Sequence, residues 1–332
     1  KNINKKKDGK RKKIKFELLK LKINLSANEK KYLEGALSFA EAEKYIKKFN
    51  NKIFVIKYGG SALSNRYLAN NFAKDLVLIK KLGINIVIVH GGGVQISETL
   101  KKRKINSKFI NGLRVTDKQT IKIVKKVLIE RINKKIVDLI NHAGGKAISL
   151  PGHKKGLIEV TPLKKEMGFV GNPKKIKIKI IKNILKKNYI PIIASLGFKG
   201  KKVFNINADT VAGELASSLS ATRFYFITNI KGVMDKNNKL IKEITLLKAK
   251  DLIKKGIIKG GMIPKVETCL NAIKKSAKAA VILDGRVPKL LLKEIFTTKA
   301  IRLQTKAVTK YKNGFGLRRL SRTVGSRTTC DR

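Results

Sequence analysis

The chain has 332 residues, 42% hydrophobic and 30% charged, enough to bury a sizeable core in one large or two medium domains. No apolar run approaches the roughly 18 residues a membrane span needs, and the two cysteines, Cys269 and Cys330, are too few and too far apart for a disulfide framework or a metal cluster. The formal net charge of +55 raises nucleic-acid binding, but the lysines spread along the whole chain with no RNP motif or zinc finger beside them, which reads as compositional drift and no specific nucleic-acid partner.

Residues 1–30 open KNINKKKDGKRKK and read as a basic, disordered extension. From Leu33 the text turns amphipathic: Leu33, Ala36, Leu37 and Ala40 share a helical face that Tyr45, Ile46 and Phe49 continue, predicting one helix over 33–49. Short apolar strands and amphipathic helices then alternate. Strands are predicted at 53–57, 85–90, 146–150, 189–194, 223–229 and 279–285, with helices near 66–82, 94–104, 117–142, 181–188, 208–220, 247–256 and 263–278. Such alternation implies an α/β fold with a mainly parallel sheet covered by helices on both faces, and ligands at the carboxyl ends of the strands. Residues 301–332 lose this periodicity and read as an atypical basic tail.

Two glycine turns follow two of the strands. IFVIK runs into Tyr58-Gly59-Gly60-Ser61, and IVIVH into Gly91-Gly92-Gly93. Glycine lets backbone N–H groups approach an anion, and a following helix start adds its positive dipole end. If these strands are neighbours, the turns make a place for two anionic groups. Neither turn is a Walker A loop or a dinucleotide fingerprint, and the protein-kinase signature set is absent.

Two lysines stand beside glycine turns: Lys57 closes the first strand, and Lys265 follows Gly260-Gly261 at the start of a helix. In FNINADTVAGELA, alternation sends Asn205, Asn207 and Asp209 to one side while Ile206 packs on the other. Taken alone, Asp209 reads as a helix-start charge, the asparagines as turn or capping residues, and Arg114 as a surface residue ahead of a cap at Thr116 or Asp117.

Taken together, VIKYGGSAL, VIVHGGGVQI, NGLRVTD, GFVGN, IPIIASLG, FNINADTVAGELA, GGMIPKVETCLNAI and ILDGRVPKLLLKEIF resemble the amino-acid kinase family, and within it the acetylglutamate kinases, in order over roughly four-fifths of the chain. The resemblance implies a three-layer αβα sandwich with an acetylglutamate-binding lobe over 51–207 and an ATP-binding lobe over 208–300. The implied activity is transfer of a phosphoryl group from ATP, carried with Mg²⁺, to the side-chain carboxylate of N-acetyl-L-glutamate in arginine biosynthesis. Carried over by motif, Gly92, Gly93, Arg114 and Asn205 would bind acetylglutamate, and Gly59 and Gly60 would donate to the transferring phosphoryl group. Lys57 and Lys265 would neutralise the transition state, with Asp209 holding both lysines; no metal ligand in the protein is implied.

The helix over residues 31–50 resembles the extension that links dimers in hexameric, arginine-sensitive members, implying a homo-oligomer. Some relatives also bind a PII-type nitrogen-signalling protein. The chain departs from the family at His153-Lys154, at Asn229 where aspartate is common, and at Ala300-Ile301-Arg302-Leu303 where a glycine-rich ending is usual. The implied setting is a bacterial or endosymbiont cytosol or a plastid stroma. Two alternatives stay open: a family activity on aspartate, glutamate, carbamate or UMP, and a decayed protein that binds nucleotide or nucleic acid.

Overall fold

Order begins earlier than the composition predicts. The computed structural model describes residues 23–36, 39–59, 63, 65–230, 232–237, 239–241, 243–296 and 302–304. Helix α1, Ala27–Glu34, starts at Ser26, whose hydroxyl accepts from the Glu29 N–H at 3.2 Å while the Glu29 carboxylate accepts from the Ser26 N–H at 2.9 Å. Two orphan donors of the helix start are thus satisfied reciprocally. Residues 1–22 lie outside the described residues, and the predicted extension to residue 30 is corrected at its end by this cap. The single helix expected over 33–49 is two, because α1 stops at Gly35, a poor helix former, and α2 is Phe39–Phe49; Leu37 lies outside the described residues.

The body then alternates as predicted. β1 (Ile53–Tyr58), α3 (Arg66–Lys81), β2 (Asn85–His90) and α4 (Gly93–Lys102) lead to a short hairpin, β3 (Phe109–Ile110) and β4 (Leu113–Arg114). The long predicted helix is α5 (Lys118–Lys126), a π-helical turn over Val127–Asn133, and α6 (Lys134–His142). β5 (Ala147–Ser149), β6 (Ile158–Pro162), β7 (Gly171–Ile176), α7 (Ile178–Lys186), β8 (Ile190–Ala194), β9 (Leu196–Lys199) and β10 (Lys202–Asn205) follow. After these come α8 (Ala208–Ser218), β11 (Arg223–Thr228), β12 (Glu243–Thr245), α9 (Leu246–Lys254), α10 (Met262–Lys275), β13 (Ala280–Asp284), α11 (Leu290–Phe296) and β14 (Arg302–Gln304).

The main sheet runs β12-β14-β13-β11-β1-β2-β8-β5, and the six strands from β13 to β5 are all parallel. Alternation along each strand divides the core into two layers. Phe54, Ile56, Ile86, Ile88, Tyr225 and Ile227 pack beneath α2, α3, α6 and α11, while Val55, Val87, Val89, Phe224 and Phe226 pack against α8 and α10. This is the three-layer αβα sandwich. β14 lies in the segment predicted as tail; residues 305–332 lie outside the described residues.

A second sheet, β10-β9-β6-β7, was not visible in the sequence. Its strands are short and mixed with Lys, Gly and Pro, so they carry no apolar run. It matters because β10 ends at Asn205 and delivers the chain into α8.

Candidate active site

β1 and β2 are paired so that Lys57 lies beside Val89 and Tyr58 beside His90. The two glycine turns therefore leave neighbouring strands at the same end of the sheet. β11 lies on the other side of β1, with Lys57 opposite Phe226. The chain leaves β1 toward β2 on one side and leaves β11 toward β13 on the other, so the boundary between β1 and β11 is where a doubly wound sheet opens a crevice.

A cavity of about 230 Å³ fills that crevice. Lys57, Gly59, Gly92, Gly93, Arg114, Asn205 and Asp209 all line it. Gly60 lies outside the described residues. Residues more than 150 positions apart in sequence thus meet around one space.

In the wall of the cavity, Lys57 Nζ lies 3.0 Å from Asp209 Oδ1, with side chains only 14% and 25% exposed. The ammonium also sits 4.8 Å from the centre of the Phe226 ring, whose electron-rich face favours a cation. Asp209 is in the first turn of α8, where Asn207 caps the helix by accepting from the N–H groups of Asp209 and Thr210 at 2.8 and 3.3 Å. The capping role read for the asparagines is thus correct for Asn207, which also lines the cavity.

Arg114 is buried and rigidly held. Its guanidinium donates to the Gly93 carbonyl at 3.1 Å, to Ser97 Oγ at 2.7 Å and to Ser107 Oγ, and it stacks 4.6 Å from the centre of the Phe109 ring. Three of its five donors are used in fixing the fork. Burial pulls the guanidinium pKa down, but from a value so high that the charge stays. The surface reading of Arg114 is therefore overturned. Asp117 does cap the following helix, accepting from the Thr120 N–H at 2.6 Å.

Asn205 reaches across from β10, donating to Thr116 Oγ1 at 3.3 Å, while Thr116 donates to the Arg114 carbonyl at 2.8 Å. Gly92 has no room for a side chain, because a Cβ there would meet Leu128 Cδ2 at 2.9 Å and Ile132 Cδ1 as well. Gly93 begins α4, whose first N–H groups have no intrahelical partner and face the cavity end of the helix.

Lys265 is placed differently. Its Nζ donates to the Gly261 carbonyl at 2.8 Å, one turn back on α10, and it does not line the cavity. Asp209 pairs with Lys57, and among the described residues no ion pair links it to Lys265. The helices that carry Asp209 and Lys265 are nevertheless packed together, α8 so closely against α10 that a Cβ at Gly213 would meet Thr268 Cγ2 at 2.9 Å. His153 is half-buried with neither ring nitrogen hydrogen-bonded among the described residues, its pKa lowered to about 4 by burial and by the charges of Lys125 and Lys154.

Sequence reading missed the groups that hold the site: Ser97, Ser107 and Phe109 around Arg114, and His90 with Asn133 behind the second glycine turn. His90 stood in VIVHGGG and could have been singled out. Asn133 gave no signal, since it sits in a π-helical turn, where α-helical spacing does not say which side chains face the core.

The sequence pattern of the amino acid kinase family matches residues 52–284. The chain is 44% identical over 279 residues to the acetylglutamate kinase of Zymomonas mobilis, covering 80% of this chain and 93% of that one. Among solved structures it resembles N-acetylglutamate synthase from Neisseria gonorrhoeae, complexed with coenzyme A and N-acetyl-glutamate, at TM-score 0.73 and 21% identity, over 81% of this chain and 63% of that one. It also resembles carbamate kinase from Giardia lamblia bound to AMP-PNP, at TM-score 0.59 and 16% identity, over 77% of this chain and 99% of that one. At those identities the two structures speak to the fold alone.

Proposed function

We propose, since this chain belongs to the amino acid kinase family, that it phosphorylates the side-chain carboxylate of N-acetyl-L-glutamate with ATP, a step in arginine biosynthesis. The observation that carries this reading is the convergence of an ion-paired lysine, a buried arginine fork and two glycine turns on one cavity. The relatives named acetylglutamate kinase supply the identity of the acid.

The chemistry is a displacement at phosphorus. A carboxylate oxygen bonds to the γ-phosphorus as the bond to the β,γ-bridging oxygen breaks, giving an acyl phosphate and ADP. The nucleophile is already ionised at neutral pH, so no strong base is needed. The difficulty is repulsion: at about 4 Å and an effective dielectric near 20, each pair of unit charges opposes approach by roughly 4 kcal/mol. Catalysis is then alignment plus neutralisation of phosphoryl oxygens.

Each residue serves that need. Arg114 and the start of α4 at Gly92 and Gly93 suit the carboxylate groups of acetylglutamate, and Asn205 offers an amide between the lobes. Lys57 faces the phosphoryl oxygens, with Asp209 fixing its ammonium; Gly59 and Gly60 contribute N–H donors. Lys265, on the ATP-lobe helix, reaches the same phosphoryl group by leaving the Gly261 carbonyl. Mg²⁺ enters with ATP as part of the substrate. The same reading carries a homo-oligomer, hexameric in form, built through the N-terminal helices, and a PII-type protein as partner; light scattering tests the assembly. The decisive assay is ATP- and Mg²⁺-dependent hydroxamate formation. It should proceed with N-acetylglutamate far faster than with glutamate or aspartate, and equal rates would defeat the assignment.

A further inference from the structure

Behind the second glycine turn lies a polar pair that the reaction does not use directly. His90, the last residue of β2, is fully buried. Its Nδ1 lies 3.2 Å from the Gly91 carbonyl and its Nε2 lies 2.9 Å from Nδ2 of Asn133. Asn133 is also fully buried, and the same Nδ2 lies 2.9 Å from the Ile192 carbonyl on β8.

Those contacts settle where the imidazole proton sits. The Ile192 carbonyl can only accept, so the Asn133 atom facing it must be the amide nitrogen and not the oxygen. Both amide protons are then committed, one to Ile192 and one to His90. Nε2 must therefore accept, and Nδ1 must carry the proton. The Gly91 carbonyl, a pure acceptor, faces that proton. Both partners agree on one tautomer. Burial also holds the ring neutral, moving its pKa down to about 4.

The peptide that His90 grips is the first of the glycine turn. Gly91 is constrained on its other side too, since a Cβ there would meet Ala208 Cβ, at the start of α8, at 3.0 Å. Gly92 abuts Leu128 and Ile132 of the π-helical turn that also carries Asn133. One wide helical turn thus packs against the glycine turn from below and sets the tautomer of the histidine that ties it down.

We propose that His90 is a positioning residue: locked by Asn133 as the Nδ1–H tautomer, it fixes the Gly91 peptide so that Gly92 and Gly93 present their N–H groups to the acid substrate. This rests on the functional reading above. It predicts a loss in substrate binding and not in the chemical step, because the turn grips the acid equally before and during transfer.

The test uses the full chain and three substitutions. In His90→Asn the amide nitrogen takes the place of Nδ1 and keeps the bond to Gly91; in His90→Gln it takes the place of Nε2 and loses it. Asn133→Leu leaves His90 intact but frees its tautomer, and carries the test if a His90 variant does not fold. KM for N-acetylglutamate should rise about 10-fold in H90Q and N133L with kcat within about 3-fold, and stay within about 3-fold of wild type in H90N. The sequence has three histidines, so long-range ¹⁵N–¹H correlation spectra can show each tautomer. In wild type His90 should show a non-titrating Nδ1–H ring between pH 5.5 and 8.5, and N133L, which leaves only the Gly91 carbonyl to select it, should let the Nε2–H form appear beside it. H90N and H90Q falling together in a wild type that turns over substrate, or a titrating or Nε2–H ring at His90, overturns this role alone. A wild type that shows the tautomer but phosphorylates no acid overturns the functional reading and this role with it.

Discussion

Replacing Asp209 by asparagine removes one charge and almost no volume. In the wild-type protein, Lys57 Nζ and Asp209 Oδ1 are 3.0 Å apart. At an effective dielectric near 20 their attraction is about 5.5 kcal/mol before solvent compensation. The substituted amide would keep an oxygen within hydrogen-bond reach, and both side chains keep some contact with water, so about half of that is lost. A loss of about 2.7 kcal/mol in transition-state stabilisation is roughly 100-fold in kcat. The hydroxamate assay with N-acetylglutamate should show this fall with KM for the acid changed less than about 3-fold, since the acid is held elsewhere. The melting midpoint should stay close to wild type. A kcat within about 3-fold of wild type would refute the claim that Asp209 sets the ammonium in place.

Further expectations follow from the same geometry. Lys57→Ala should lower kcat more than D209N, and the double variant should be no worse than Lys57→Ala, because the carboxylate acts through the lysine; additive losses in kcat would contradict this. Lys265→Met should lower kcat about 100-fold without changing KM for the acid, and unchanged turnover would remove Lys265 from the mechanism. Gly92→Ala should destabilise the chain by about 1–3 kcal/mol, as Leu128 and Ile132 must move, and should raise KM for the acid; thermal melting and steady-state kinetics read both. Asp75 is buried among Tyr32, whose hydroxyl donates to it at 2.9 Å, and Lys289, and burial raises its pKa to about 7 against their opposing influence. The folded state then holds a proton the unfolded state releases between pH 4 and 7, so stability falls as pH rises through that window. Asp75→Asn should flatten this dependence and raise the midpoint at pH 8; an unchanged pH profile would show that Asp75 does not titrate there.

Much of this architecture was legible in the residues because strands buried on both faces are continuous apolar runs. IFVIK, NIVIVH and RFYFIT declared the parallel sheet, and the glycine turns after two of them declared its working end. What stayed hidden is what depends on three-dimensional partners. Arg114 looks like any solvated arginine until Ser97, Ser107 and Phe109 close around it. The second sheet is hidden for a related reason: strands such as GNPKKI are specified by their neighbours and not by periodicity. The N-terminal break at Gly35 and the cap at Ser26 were both present as local chemistry, but the basic composition around them masked the signal.

The wide turn at Val127–Asn133 holds more residues per revolution than the α-helix on either side. Such a turn takes up about one residue more than an α-helical turn, so trimming one residue here would let it close to an ordinary turn and draw the Leu128, Ile132 and Asn133 side chains off their present partners. Asn133 would then lose its reach to His90 and the Ile192 carbonyl. Insertions and deletions in this stretch should be far less tolerated than substitutions on its exposed side, which deep mutational scanning with length variants can measure directly.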